Sequence, residues 1–319
     1  GVSPADFFPG IWDTNVVDGH VYGIPWYVDT RLLFYRTDLL AAAGYDQIPQ
    51  TWSGWRDAME KIKARTGKKG FAILLPVDEW QQPVIFGLQK GAVLLRDDGR
   101  GAFSDPRFRE ALEFYLGLYR DGLAPVFGNN QVANLYQQFA AGDFALYITG
   151  PWNIGEFRRR LPPELQDKWN TAPVPGPDGP GASVAGGSSL SMFHASEHKE
   201  EAWKLIQFLS EPAQQVRFYS LTGDLPAHKA AWKDPVLADD PQARAFWDQL
   251  QRVVPTPKVP EWEQIAMKLQ EHTETAIRGR ATAAEALAAL DRDVDRILEK
   301  RRFLLARQAE QNAAAKGAM

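Results

Sequence analysis

The sequence contains no cysteine, and this absence excludes several kinds of chemistry. A chain without cysteine has no thiol nucleophile, no disulfide framework and no zinc site built on thiolates. Long hydrophobic segments are also missing. The longest apolar runs, such as residues 71–77, are far shorter than the roughly eighteen residues that a membrane-spanning helix needs. Runs of this length are typical of buried strands.

Neither acidic nor basic residues are present in large excess. The formal net charge of the 319 residues is −4, and acidic and basic residues are interspersed along the chain. This pattern gives neither the basic patch that binds nucleic acid nor a surface attracted to anionic lipid. We therefore predict that the protein has no nucleic-acid partner.

The sequence motifs of common catalytic and metal sites are absent as well. No nucleophile elbow, no P-loop and no glycine-rich dinucleotide motif after a strand occurs in the sequence. Of the five histidines, only His194 and His198 stand at positions i and i+4, in a turn-like context, and they are interpreted as surface residues rather than zinc ligands. We predict no catalytic residue, no metal and no cofactor.

Tryptophan, by contrast, is abundant, with 11 residues in the chain. Tryptophan combines a large apolar face with one N–H donor, so it suits a partly wet binding surface as well as a core. We assign most of these residues to packing and the remainder to a ligand-binding surface.

The alternation of strand and helix patterns predicts an α/β fold, and the length favours two lobes. Strands are predicted at residues 21–28 and 190–193, and an almost continuous helix at residues 261–306. A Pro- and Gly-rich stretch at residues 173–187 is the strongest linker signal, and residues 255–260 form a second proline-rich crossing segment.

Two carboxylates stand beside aromatic residues. Asp29 follows Trp26 and Tyr27, and Glu79 precedes Trp80. A carboxylate accepts hydrogen bonds from hydroxyl groups, and an aromatic ring stacks on the C–H face of a pyranose, so the pattern indicates sugar recognition. A glycosidase uses such a pair as acid and nucleophile when the two are about 5 Å apart. The third interpretation is tryptophan packing beside a solvent-facing acid.

Several stretches together resemble one family. They are residues 18–30, residues 33–39, Thr51-Trp52 at a helix start, residues 139–146, Gly150-Pro151-Trp152, Gly186-Gly187, residues 202–209 and residues 223–227. In this order they resemble the solute-binding proteins of ABC sugar importers, and most closely the maltose- and trehalose-binding type. No single stretch is specific, but their ordered combination is.

The resemblance implies a two-lobed periplasmic-binding-protein fold of the class II type. Its N-terminal lobe would comprise residues 1–30 and 188–255, and its C-terminal lobe residues 31–187 and 256–319. Family members have about 80–100 residues before the point that Gly1 matches. We therefore expect an incomplete first lobe, in which the two predicted strands expose an edge and an apolar face. Such a surface would bind an N-terminal fragment or mediate self-association.

The resemblance also implies a sugar site. Trp152 stands where such proteins stack the sugar, and Tyr27 and Asp29 match a crossing-strand position that holds its hydroxyls. The other implied contacts are Glu79, Trp80, Gly187, Ser188 and Trp262. Ser188 stands where relatives often have tryptophan, and Thr256 where arginine is common, and both departures bear on which sugar is bound.

The function implied is high-affinity capture of a sugar, such as the disaccharides maltose or trehalose, and its delivery to the permease subunits of an ABC importer. The implied location is the periplasm or, for a lipid-anchored form, the outer face of the cytoplasmic membrane. Two alternatives remain: a carbohydrate-active hydrolase using Asp29 and Glu79, and a binder of a non-sugar solute with the same fold.

Overall fold

The computed structural model describes residues 2–66, 70–132 and 134–317, which form a mixed α/β structure. The predicted α/β class is confirmed. The strands are β1 (Val16–Val17), β2 (His20–Val21), β3 (Ile24–Asp29), β4 (Leu32–Arg36), β5 (Ile73–Leu74), β6 (Leu146–Thr149), β7 (Trp169–Ala172), β8 (Ser183–Val184), β9 (Gly186–Leu190), β10 (Leu225–Pro226) and β11 (Val253–Val254).

The α-helices occupy most of the remaining described chain. They are α1 (Pro9–Asp13), α2 (Thr37–Ala42), α3 (Trp52–Thr66), α4 (Gln81–Gln89), α5 (Pro106–Arg120), α6 (Leu135–Ala141), α7 (Trp152–Arg160), α8 (Lys199–Leu209), α9 (Pro212–Thr222), α10 (Pro235–Ala238), α11 (Pro241–Leu250), α12 (Trp262–Ile277), α13 (Ala283–Ile297) and α14 (Glu299–Gly317).

The chain divides into two compact units. The first unit comprises Gly1–Leu75, Gly122–Pro125 and Val132–Thr256, and the second comprises Pro76–Asp121, Val126–Gln131 and Pro257–Met319. These units divide the chain at other residues than the predicted lobes, so the lobe boundaries stay a prediction.

The core of the first unit surrounds a four-stranded sheet in the order β5-β6-β4-β7. All five residues of β4 are buried, which explains their nearly continuous apolar run, because a strand covered on both faces has no solvent side. Phe34 of β4 packs against Phe157 of α7 at 5.0 Å and against Phe246 of α11 at 6.2 Å between ring centroids. Helices α7 and α11 thus pack against the buried β4 strand of this sheet.

A second sheet of the first unit has the order β10-β3-β9, with both pairings antiparallel. Its central strand is β3, and Tyr27 and Val28 pair with both β9 and β10, so the predicted exposed edge along residues 21–28 is wrong at these two residues. A register shift between Pro25 and Tyr27 marks a β-bulge at Trp26. The sheet edges are instead the short β10 and the glycine-containing β9.

Three segments of the first unit meet in a small bundle that we call the crossing bundle. It consists of the parallel pair β8 and β11 together with Thr30 and Arg31. Thr30 Oγ1 donates to the Val184 carbonyl at 2.8 Å, and Ser183 Oγ donates to the Arg31 carbonyl at 2.7 Å. Both hydroxyl-bearing residues are buried, so the bonds are shielded from water. The predicted Pro- and Gly-rich linker at residues 173–187 contains β8 and the start of β9, and the predicted crossing segment at residues 255–260 follows β11 directly.

The second unit is helical, and α5 packs against α4, α12 and α13. Inside it, the buried hydroxyls of Tyr115 and Tyr119 form a hydrogen bond of 2.8 Å. The almost continuous helix predicted over residues 261–306 is present as three successive helices, α12, α13 and α14. Gly279 adopts a positive φ of 69° after α12, and Thr282 opens α13 with a capping box completed by Glu285.

Candidate functional site

Asp29, Arg31 and Trp152 form a connected chain of contacts in the first unit. Asp29 is the last residue of β3, and its two carboxylate oxygens accept hydrogen bonds of 2.9 and 3.1 Å from Arg31 Nη1. The same guanidinium group lies over the Trp152 ring, 4.6 Å from its centroid. A predicted hydroxyl acceptor and a predicted stacking ring are therefore joined through one cation.

Trp152 is held in place by the residues before it. It opens α7 directly after Gly150 and Pro151, and 44% of its surface is exposed. A Cβ atom at Gly150 would lie 1.8 Å from Trp152 Cζ3, so only glycine allows the ring to lie this close to the backbone. This contact gives a physical reason for the Gly-Pro-Trp sequence: it fixes a large, half-exposed aromatic ring at a helix start.

The strand pair β3 and β9 brings Tyr27, Gly187 and Ser188 together. Ser188 stands opposite Tyr27, and Gly187 opposite Val28. Gly187 has a φ of +123°, and a Cβ atom there would lie 2.1 Å from the Tyr27 carbonyl oxygen. The close approach of the two backbones therefore requires glycine at this position. Gly187 itself is exposed, so this close strand pair lies at the surface.

Burial and neighbouring charges act on Asp29 in opposite directions. Burial raises the pKa of the Asp29 carboxyl, the Arg31 guanidinium lowers it, and the Asp224 carboxylate raises it again. The net effect is a pKa above the ordinary value for aspartate. Charge at this site is thus more sensitive to mild acid than that of a solvent-exposed aspartate.

Glu79, Trp80 and Trp262 lie together in the second unit. Glu79 Oε1 accepts a hydrogen bond of 2.9 Å from Asn129 Nδ2. Trp80 precedes α4, and its ring meets that of Trp262 edge-to-face at 5.6 Å. Trp262 is only 7% exposed, and its buried Nε1 has no hydrogen-bond acceptor among the described residues. Trp262 thus packs under Trp80, and its predicted role as a cover over the sugar stays a prediction.

The structure thus places the eight predicted contact residues in two groups. Five belong to the first unit (Tyr27, Asp29, Trp152, Gly187 and Ser188) and three to the second (Glu79, Trp80 and Trp262). Arg31 was missed by the sequence analysis. Its position two residues after Asp29 was a usable signal, because side chains at i and i+2 of an extended segment lie on the same side.

The described residues contain neither a cluster of metal ligands nor a helix suited to crossing a membrane. In residues 2–66, 70–132 and 134–317, no three His, Asp or Glu side chains are grouped so as to hold a metal ion. His194 and His198 are exposed. Across the described chain, no helix is both long enough and apolar enough to cross a membrane.

Comparison with known proteins gives a consistent result. The family model described as "Bacterial extracellular solute-binding protein" matches residues 2–216. The solved structure of the sugar-binding protein MalE from Xanthomonas citri is 50% identical, with a TM-score of 0.94, and the match covers 96% of this chain and 78% of that chain.

Two further relatives are more distant. A putative binding protein of Brucella abortus is 28% identical over 293 residues, covering 90% of this chain and 70% of its own length. The galactooligosaccharide-binding protein of Bacillus subtilis is 27% identical over 289 residues, covering 86% of this chain and 65% of its own length. The predicted resemblance and the two-lobed fold are confirmed by these matches. The chain belongs to the bacterial extracellular solute-binding protein family.

Proposed function

We propose that this protein captures a sugar outside the cytoplasm and presents it to an ABC importer. The observation that carries the proposal is the half-exposed Trp152 ring joined through Arg31 to the acceptor Asp29. A pyranose offers a C–H face for the ring and hydroxyl donors for the carboxylate, so this pair of groups matches its chemistry. The names of the Xanthomonas citri and Bacillus subtilis relatives, which bind a sugar and a galactooligosaccharide, support the same class of ligand.

The proposed site extends over the residues on both sides of Asp29. Tyr27, Gly187 and Ser188 lie on the strand pair beside it. Glu79 and Trp80, an acceptor and a ring of the second unit, stay predicted contacts. We propose a disaccharide of the maltose or trehalose type as the ligand. Capture requires binding alone, so neither a cofactor nor a covalent step is part of the mechanism.

The proposed partners and location follow from the family. Its members are extracellular, and we propose the periplasm, or a lipid anchor at the outer face of the cytoplasmic membrane, as the site of action. The permease subunits of an ABC importer would receive the sugar. We propose that two lobes, divided near residues 30, 187 and 255, close on the sugar.

Thermal unfolding with a panel of ligands tests the capture proposal. A sugar at 100 times its dissociation constant adds about 2.7 kcal/mol to the free energy of unfolding, so maltose or trehalose should raise Tm measurably. The panel also contains aryl glycosides, polyamines and oligopeptides, and each sugar is analysed for cleavage afterwards. Stabilisation only by a non-sugar would contradict sugar capture. Glycoside cleavage that Asp29→Asn abolishes would establish the hydrolase alternative instead.

An exposed apolar surface in the first unit is proposed as a polypeptide-binding face. Tyr22 is 64% exposed and Phe193 is 88% exposed, and with Trp203 they line an open groove of about 550 Å³. Exposed patches of this kind usually mark an interface. The proposed occupant is a polypeptide, either an N-terminal fragment or a second copy of this chain.

Self-association of the 319-residue chain tests this face. Light scattering and mass spectrometry should show a bound fragment or an apparent mass that rises with concentration, and Phe193→Ser should reduce the association. The matched control is Phe303→Ser, since Phe303 is also exposed but lies in the second unit. A stable monomer of 35.7 kDa with full sugar affinity would rule out the proposal.

A further inference from the structure

Arg31 is the least expected member of the candidate site. We infer that it is the positioning residue of the site: its guanidinium group supports the Trp152 ring from the inner side and holds the Asp29 carboxylate ready for a sugar hydroxyl. This inference rests on the proposed sugar-binding function. In this role Arg31 holds Trp152 and Asp29 in their positions and does not itself contact the sugar.

The relative exposure of the two side chains indicates which side of the ring Arg31 covers. The Arg31 side chain is only 17% exposed, whereas Trp152 is 44% exposed. A guanidinium group on the solvent side of the ring would be the more exposed partner. Arg31 therefore lies beneath Trp152, and the ring keeps an outward surface on which a pyranose can stack.

The backbone of Arg31 is fixed by the crossing bundle. Its carbonyl accepts the 2.7 Å bond from the buried Ser183 hydroxyl, and the preceding Thr30 is held to Val184 at 2.8 Å. The guanidinium group at the other end is held by both oxygens of Asp29. With its backbone and its guanidinium group both held, Arg31 is fixed at 4.6 Å from the centroid of the Trp152 ring.

Arginine is suited to this task by its shape. A planar guanidinium group stacks on an aromatic face while its edge donates hydrogen bonds to a carboxylate. A lysine ammonium at the same place keeps the positive charge near Asp29 but has no plane to support the ring. Arg31→Lys therefore separates the two tasks, whereas Arg31→Met removes both.

Arg31 has two tasks, to support the Trp152 ring and to keep the Asp29 carboxylate charged. The second task depends on pH because of the charged groups around Asp29. Two charged groups act on Asp29: Arg31, which belongs to the crossing bundle, and Asp224, which directly precedes β10. Burial already raises the pKa of Asp29, and Arg31 opposes that rise. Without the cation, the pKa of Asp29 rises further, so the carboxylate is protonated and lost as an acceptor at a higher pH.

Calorimetric titration between about pH 4.5 and pH 8 tests the inference, with the sugar that stabilises the parent protein most. At pH 7.5 we expect Arg31→Met and Arg31→Lys each to bind about tenfold more weakly or worse. The pH at which affinity falls should move upward only in Arg31→Met. Arg244→Met, an exposed arginine of the same unit on α11, is the control and should leave affinity and pH profile unchanged.

Each other outcome has one meaning. If both Arg31 variants are folded and bind like the parent protein at every pH, the inference is wrong and the proposed function stands. Tighter binding by Arg31→Met would show that Arg31 competes with the sugar for the ring, which also overturns it. If Arg31→Met does not fold, Arg31→Lys still decides through its affinity. A parent protein that binds no sugar refutes the proposed function itself.

Discussion

The Trp152→Ala variant is expected to bind sugar roughly 100- to 1000-fold more weakly than the parent protein. The substitution removes the half-exposed ring that is proposed to stack on the pyranose. It also removes the contact between this ring and the Arg31 guanidinium group. Aromatic anchors of this kind dominate binding energy, because they combine a large buried area with directional contact in the complex.

The same variant should lose little stability. A ring that is 44% exposed contributes less to the core than a buried tryptophan, so the free energy of unfolding should change far less than that of a buried-tryptophan variant such as Trp55→Ala. Chemical unfolding and calorimetric titration measure the two effects separately. Phe208→Ala, which removes a ring of similar exposure in the same unit, is the matched control and should keep sugar affinity. Strong destabilisation with unchanged affinity would identify Trp152 as a packing residue.

Local patterns predicted the stacking ring but not its support. Gly-Pro-Trp could be recognised in the sequence because the constraint between Gly150 and Trp152 acts within three consecutive residues. The contact between Arg31 and Trp152 joins distant parts of the chain, and no local pattern specifies which cation lies under a ring. Sequence reasoning therefore identified the ring and the acceptor and missed the residue that connects them.

The same distinction applies to the fold. The apolar run at residues 71–77 indicated a buried strand correctly, since β5 lies within it, because burial on both faces leaves a local record in the sequence. The pairing partners of β3 did not leave such a record, and the expected exposed edge fails at Tyr27 and Val28, which pair with both β9 and the two-residue β10. The helix break at Gly279 was missed for another reason. A single glycine is compatible with a helix, and only the adjacent capping box of Thr282 and Glu285 indicates a new start.

The two carboxylates are expected to differ in importance for sugar binding. Loss of a charged acceptor from a site shielded from water costs about 1.5–3 kcal/mol, which is about 10- to 150-fold in affinity. Asp29→Asn should show the full effect, because it also leaves the largely buried Arg31 without its carboxylate partner. Glu79→Gln should lose less, because the glutamine carbonyl can still accept the bond from Asn129.

The pH dependence of binding adds an independent test of Asp29. Since burial and Asp224 raise the pKa of Asp29, protonation begins at a higher pH than for a solvent-exposed aspartate, and sugar affinity should fall correspondingly early as the pH is lowered. Asparagine cannot titrate, so Asp29→Asn should bind weakly at all pH values without this fall. Asp248→Asn, an exposed carboxylate variant of the same unit, should keep both affinity and pH profile. If Asp29→Asn and Glu79→Gln both bind every tested sugar with parental affinity, these carboxylates are not the acceptors. The sugar would then be held by Trp152 and by backbone groups alone.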